Sequence, residues 1–197
     1  TIAGALDTSA GDGDAISLQV ADGVTFSAAM SDVMTGGGSF TVNADTNNDG
    51  TGTYSQADAG AAVTTGGGAV SITAADFSLT GTINSGAGTI DLLTSNPTTK
   101  IDVGVGTNVA SGFNVDDSEL GQITTSNTLT IGGGTANSIT VNAVTAANTA
   151  NIGTVALNAT RTGADITFST AASTFGANLT ATADDVVDVD VSISTAT

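Results

Sequence analysis

The chain has 197 residues and a formal charge of −17, from 19 acidic side chains against Lys100 and Arg161, with no Cys and no His. With no basic surface to displace counterions, nucleic acid is argued against as a partner, and so are anionic membranes. Disulfides, thiolate metal sites, the usual zinc sites and Ser/His or Cys/His nucleophile systems are excluded by composition. Hydrophobic residues make up 40% and aromatics 4%, so the core must be assembled from small aliphatic side chains in closely spaced layers. No run reaches the ~18 apolar residues of a spanning helix, and the first residues lack the basic and apolar stretches of a signal peptide.

Alternation with period two predicts strands in chain order at Ile16–Val20, Phe40–Ala44, Val70–Ala74, Phe77–Leu79 and Ile90–Leu93. It resumes at Leu129–Ile131, Ile139–Val141, Val155–Leu157, Ile166–Phe168, Leu179–Ala181 and Val187–Ile193. A phrase recurs along them: TGGGSFTVNAD from Thr35, TGGGAVSITAAD from Thr65 and IGGGTANSITVNA from Ile131. The first two align without a gap, and the third repeats Thr41-Val42-Asn43-Ala44 as Thr140-Val141-Asn142-Ala143. A recurring turn-plus-strand module marks a repeat architecture.

The pattern breaks between residues 94 and 122, where Pro97, Gly104, Gly106 and Gly112 precede Asp116-Asp117-Ser118-Glu119-Leu120. This segment reads as an insertion or bent coil, with one helical turn capped by Asp116. The expected fold is all-β: a single parallel β-helix (β-solenoid) over residues 1–197, with irregular coils. An antiparallel β-sandwich is the alternative. At about twenty residues per coil the chain would make roughly nine coils and a rod on the order of 40 Å.

The stretch GGGAVSITAADFSLTGTINSGAGTIDL from Gly66, with KIDVGVG from Lys100, DDSELGQITTSNTLTIGGG from Asp116 and NSITVNA from Asn137, carries a family likeness. It resembles the filamentous-haemagglutinin-like, haemagglutination-domain repeats of very large bacterial surface proteins. The order is strand, then Gly81 to Thr89 as a turn, then Ile101-Asp102-Val103, then Ser118-Glu119-Leu120. The resemblance implies a right-handed parallel β-helix in a secreted, cell-surface or fibre-forming protein.

Asp45-Thr46-Asn47-Asn48-Asp49-Gly50 fits the opening of a calcium loop, with oxygen ligands at alternate positions and Gly at the sixth. Asp45, Asn47 and Asp49, with Asp58 nearby, are the candidate calcium ligands, against the plainer reading of a polar turn. Asp12 and Asp14, with Asp7 upstream, form a weaker candidate, since no ligand spacing is specified. Asp184, Asp185, Asp188 and Asp190 form a third acidic group, read as a solvated face that discourages edge pairing. The triple glycines are not phosphate loops, since no Lys-Ser/Thr follows.

The expected function is structural and non-catalytic: an extracellular or cell-surface fibre or adhesin component that stacks end to end or is one segment of a longer repetitive protein. The partner is then the protein itself. Alternatives are a calcium-stabilised monomeric adhesive module for a glycan or surface, a donor-strand filament of β-sandwich subunits, and, most remotely, a polysaccharide-degrading β-helix. The last would have only Tyr54, Lys100 and Arg161, besides six Phe, to hold sugar.

Overall fold

The computed structural model describes residues 1–11, 13–104, 112–133 and 136–196. Among these residues, short alternating segments separated by Gly, Asn and Asp wind into seven coils. The first three are β1 (Leu6–Asp7), β2 (Ile16–Gln19) and β3 (Val24–Phe26); β4 (Val33–Met34), β5 (Phe40–Asn43) and β6 (Thr53–Gln56); β7 (Ala62–Thr64), β8 (Val70–Ala74) and β9 (Asp76–Leu79). The fourth holds β10 (Thr82–Gly86), β11 (Ile90–Thr94), β12 (Ile101–Gly104), β13 (Phe113–Val115) and α1 (Asp117–Leu120). The fifth holds β14 (Ile123–Gly133), β15 (Ile139–Asn142) and α2 (Ala146–Thr149). The last two are β16 (Ile152–Ala159), β17 (Ile166–Phe168) and β18 (Ser173–Phe175), then β19 (Asn178–Ala183), β20 (Val187–Val189) and β21 (Ile193–Thr195).

Every strand ladder among the described residues is parallel. The chain is a parallel β-helix, and the antiparallel sandwich is excluded, along with the sandwich subunits a donor-strand filament needs. Coil length varies widely: Phe40 pairs with Val70, Val70 with Ile90, and Ile90 with Leu129. The expectation of nine coils therefore falls to seven, because the long coils consume more chain. Six steps of about 4.8 Å make the stack about 30 Å tall.

Parallel register turns the alternation into columns. Ile16, Phe40, Val70, Ile90, Leu129, Val155 and Leu179 stack in one, and Leu18, Val42, Ile72, Leu92, Ile131, Leu157 and Ala181 in the next. Each fully buried member contributes about 1.5–3 kcal/mol relative to exposure. On the third side Tyr54 stacks on Phe77 at 5.7 Å and 8°, and Phe77 on Phe113 at 6.1 Å and 25°. The extra strand β13 pairs with β12 and continues the stack above β9, so the break seen in the sequence is an added layer on this side.

The triple-glycine phrase needs correction. Thr35, Thr65 and Ser85 are buried, and their hydroxyls donate across the turn to the carbonyls of Gly38, Gly68 and Gly88. The third member of this ladder is therefore Ser85-Gly86-Ala87-Gly88, and Thr82–Gly86 is a strand rather than part of a turn. Gly36, Gly66 and Gly86 hold φ between +61° and +66°, which glycine adopts freely. The copy from Ile131 lies instead at the end of β14, and Thr140–Asn142 lie in β15 of a different sheet from β5. Its likeness to the first two copies is local alternation alone.

Candidate functional site

A cleft is built at one corner of the coils. β8 passes into β9 through the single residue Ala75, whereas the coils on either side turn through long loops at residues 44–52 and 95–100. These loops stand out beyond Ala75 and leave a cleft of about 620 Å³. Asp49, Asp76, Asn96, Asn114, Thr53 and Thr98 are among its lining residues. Its chemistry is carboxylate, amide and hydroxyl.

Asp45 ties the two loops together. Its carboxylate is fully buried; Oδ1 accepts the Asp49 N–H at 3.2 Å, and Oδ2 accepts the Gly50 N–H at 3.1 Å and the Ser95 hydroxyl at 2.6 Å. Asp49 Oδ1 accepts the Thr51 N–H at 3.0 Å and its hydroxyl at 2.6 Å, and Oδ2 accepts from Asn47 Nδ2 at 2.8 Å. The Thr51 hydroxyl, then its N–H and the Asn47 amide, hold the Asp49 carboxyl below its ordinary range. The structure thus gathers Asp45, Asn47 and Asp49 into one turn. Asp58 lies beyond β6 in the following corner, where it accepts the Gly60 N–H at 2.8 Å. Asp14 is exposed, and Asp12 lies outside the described residues.

Asp45→Ala is expected to cost about 2–3 kcal/mol, because it removes a buried charged acceptor of three bonds. Ser95→Ala should cost about 1 kcal/mol. Chemical denaturation of both variants checks the ordering.

A second cluster sits where β13 is added above β9. Asp76 Oδ1 accepts the backbone N–H of Asn114 at 3.0 Å, and Glu119 Oε1 accepts the N–H of Leu79 at 2.7 Å. These two carboxylates satisfy N–H groups of the stacked strands β13 and β9. Glu119 Oε2 also accepts the Asp116 N–H at 2.8 Å, completing a capping box on α1. Burial pushes the Glu119 carboxyl up to about 7, helped by the charges of Asp116 and Asp76 and opposed by the two N–H bonds.

The sign follows from linkage. A folded-state value above the ordinary 4.5 means the folded chain holds this proton more tightly. The resulting stability is full below about pH 4.5 and is lost as pH rises through about 7. The melting temperature is therefore expected to rise by roughly 5 °C from pH 8 to pH 5. Glu119→Gln should flatten that rise; an unchanged slope would assign the pH dependence elsewhere.

Asp117, which sequence reasoning passed over, fastens α1 to α2. Its carboxylate accepts the Thr145 N–H at 2.8 Å, the Thr145 hydroxyl at 2.9 Å and Asn148 Nδ2 at 2.7 Å. All seven aromatic rings are interior, Tyr54 included, with its phenol accepting Gln56 Nε2 at 2.8 Å. Tyr54 therefore offers no surface to a sugar, and no other ring is available as a stacking platform.

Among the described residues both outermost coils leave strand edges unpaired, except that Ile2 bridges to Phe26 of β3, its N–H donating to the Thr25 carbonyl and its own carbonyl accepting from the Ser27 N–H. At the C-terminal edge Val186, Val187 and Val189 are 48%, 43% and 52% exposed. At the N-terminal edge a notch of about 300 Å³ lies between Ile2 and Leu18–Val20, with Val24 among its lining residues. No family model, curated protein or solved structure matches the chain, so it is placed by its own geometry as a parallel β-helix whose first and last coils are, among the described residues, largely unpaired on their outer sides.

Proposed function

We propose that the chain is a structural, non-catalytic segment of an extracellular or cell-surface fibre or adhesin, in which each edge coil is covered by a further coil of like construction. That coil is supplied by a second copy or by more of the same polypeptide. The observation that carries this reading is the state of the inward columns at the two edges. Ile16, Leu18, Leu179 and Ile193 pack against the core cluster yet are only partly buried. Partly exposed apolar columns beside unpaired backbone favour strand addition. The bacterial surface setting rests on the haemagglutinin-like resemblance alone.

Concentrated protein in electron micrographs should show rods much longer than about 30 Å, the height of one stack. Isolated short particles at every concentration would oppose the reading. The calcium reading falls on the Asp45 turn. Because Asp45 already accepts three bonds from the chain, the melting temperature is expected to be the same with and without a calcium chelator. A drop on chelation would return Asp45, Asn47 and Asp49 to the role of ligands.

A further inference from the structure

Resting on that reading, the two edge coils specify how one copy meets the next. β2 and β19 are the outermost strands of the second side, in a sheet whose remaining end is β1. Ile16 and Leu179 lie in one inward column, Leu18 and Ala181 in the next. Placing β19 beneath a second copy's β2 repeats the step already made six times within the chain.

The third side agrees. Val24 pairs with Tyr54 and Tyr54 with Phe77, whose ring stacks on Phe113. The column continues through Ile101, Ile139 and Ile166 to Val187. Val187 therefore falls in register with Val24 at the unpaired end of β3; the Phe26 end is already bridged by Ile2, which lines the same notch. An exposed apolar knob at one edge matches an apolar notch at the other.

Charge opposes this contact. The first coil exposes Asp7, Asp14 and Asp22, and the last exposes Asp184, Asp185, Asp188 and Asp190, with no Lys or Arg in either. Asp22 and the Asp184–Asp185 pair occupy the same corner, between the second and third sides, so stacking brings like charges together. Like charges at close approach are repulsive at low ionic strength and screened by salt.

We propose that the N-terminal edge coil of one copy seats on the C-terminal edge coil of a second, Ile16 over Leu179 and Val187 into the notch beside Val24, and that the aspartates of these two coils hold the contact off until salt screens them.

Sedimentation of the whole chain tests this at about 0.01 M and about 1 M NaCl, where screening lengths are about 30 Å and 3 Å. Wild type should be monomeric in the first and oligomeric in the second. The quadruple variant D184N/D185N/D188N/D190N should form oligomers in low salt. Val187→Asn should raise the concentration needed in high salt about tenfold, which corresponds to 1.4 kcal/mol of contact. Ser78→Asn, a change at an exposed position of β9 in the third coil, should leave it unchanged. Unchanged melts would show that the variants fold.

Wild type assembling equally at both salts would overturn the gating and leave stacking intact. Val187→Asn behaving as wild type would overturn the proposed register. If neither wild type nor the quadruple variant assembles at any salt, the stacking reading itself fails.

Discussion

Phe77→Ala is expected to lower stability by about 3–5 kcal/mol, as the loss of a ring packed on both faces. Phe77 is interior and its ring is held on both sides, by Tyr54 at 5.7 Å and by Phe113 at 6.1 Å. The strands above and below are fixed by ladders, so they cannot collapse into the space a ring leaves, and a cavity results. The effect should reach beyond β9, because the extra strand β13 meets the stack through this contact. Urea denaturation would measure it. A loss under about 1 kcal/mol would mean that the ring column carries little of the fold.

Gly68→Val should be nearly as damaging, at more than about 3 kcal/mol. A Cβ at Gly68 would run into the carbonyl of Gly38 in the coil beneath, and that carbonyl is backbone, with no rotamer to yield. The coils would have to part locally, straining the ladder of hydroxyls at Thr35, Thr65 and Ser85. Gly67→Ala is the informative comparison. A Cβ there meets open space, and only the positive φ of 116° opposes it, a penalty of about 1–2 kcal/mol. Equal losses at the two positions would refute close coil stacking as the reason for the glycines.

The second side of the helix was legible because its strands alternate over four or five residues, as in Val70–Ala74 and Ile90–Thr94. The first side was not. Leu6–Asp7, Val33–Met34 and Ala62–Thr64 are too short to show a period. Thr53–Gln56 escaped because its inward positions are Tyr54 and a buried Gln56. The repeat of Thr41–Ala44 at Thr140–Ala143 misled, since local alternation does not say which sheet a strand joins.

At the corner cleft, the Asp/Asn/Gly composition revealed a turn at Asp45–Gly50. Nothing local revealed Ser95, fifty residues on, which completes the bonding of Asp45. The cap of α1 was legible from Asp116. The spacing of Asp116 and Glu119 also suits a capping box, but the Leu79 N–H that Glu119 accepts comes from a different coil.

The central claim is that the two edges of this β-helix are made to be covered by another coil. Electron cryomicroscopy of the concentrated chain in about 1 M NaCl, where screening is nearly complete, tests it most directly. The expected image is a filament of continuous parallel coils with a layer spacing of about 4.8 Å running unbroken across the junction between β19 and the next copy's β2. Single particles about 30 Å tall, or filaments joined through any surface other than the two edges, would contradict it.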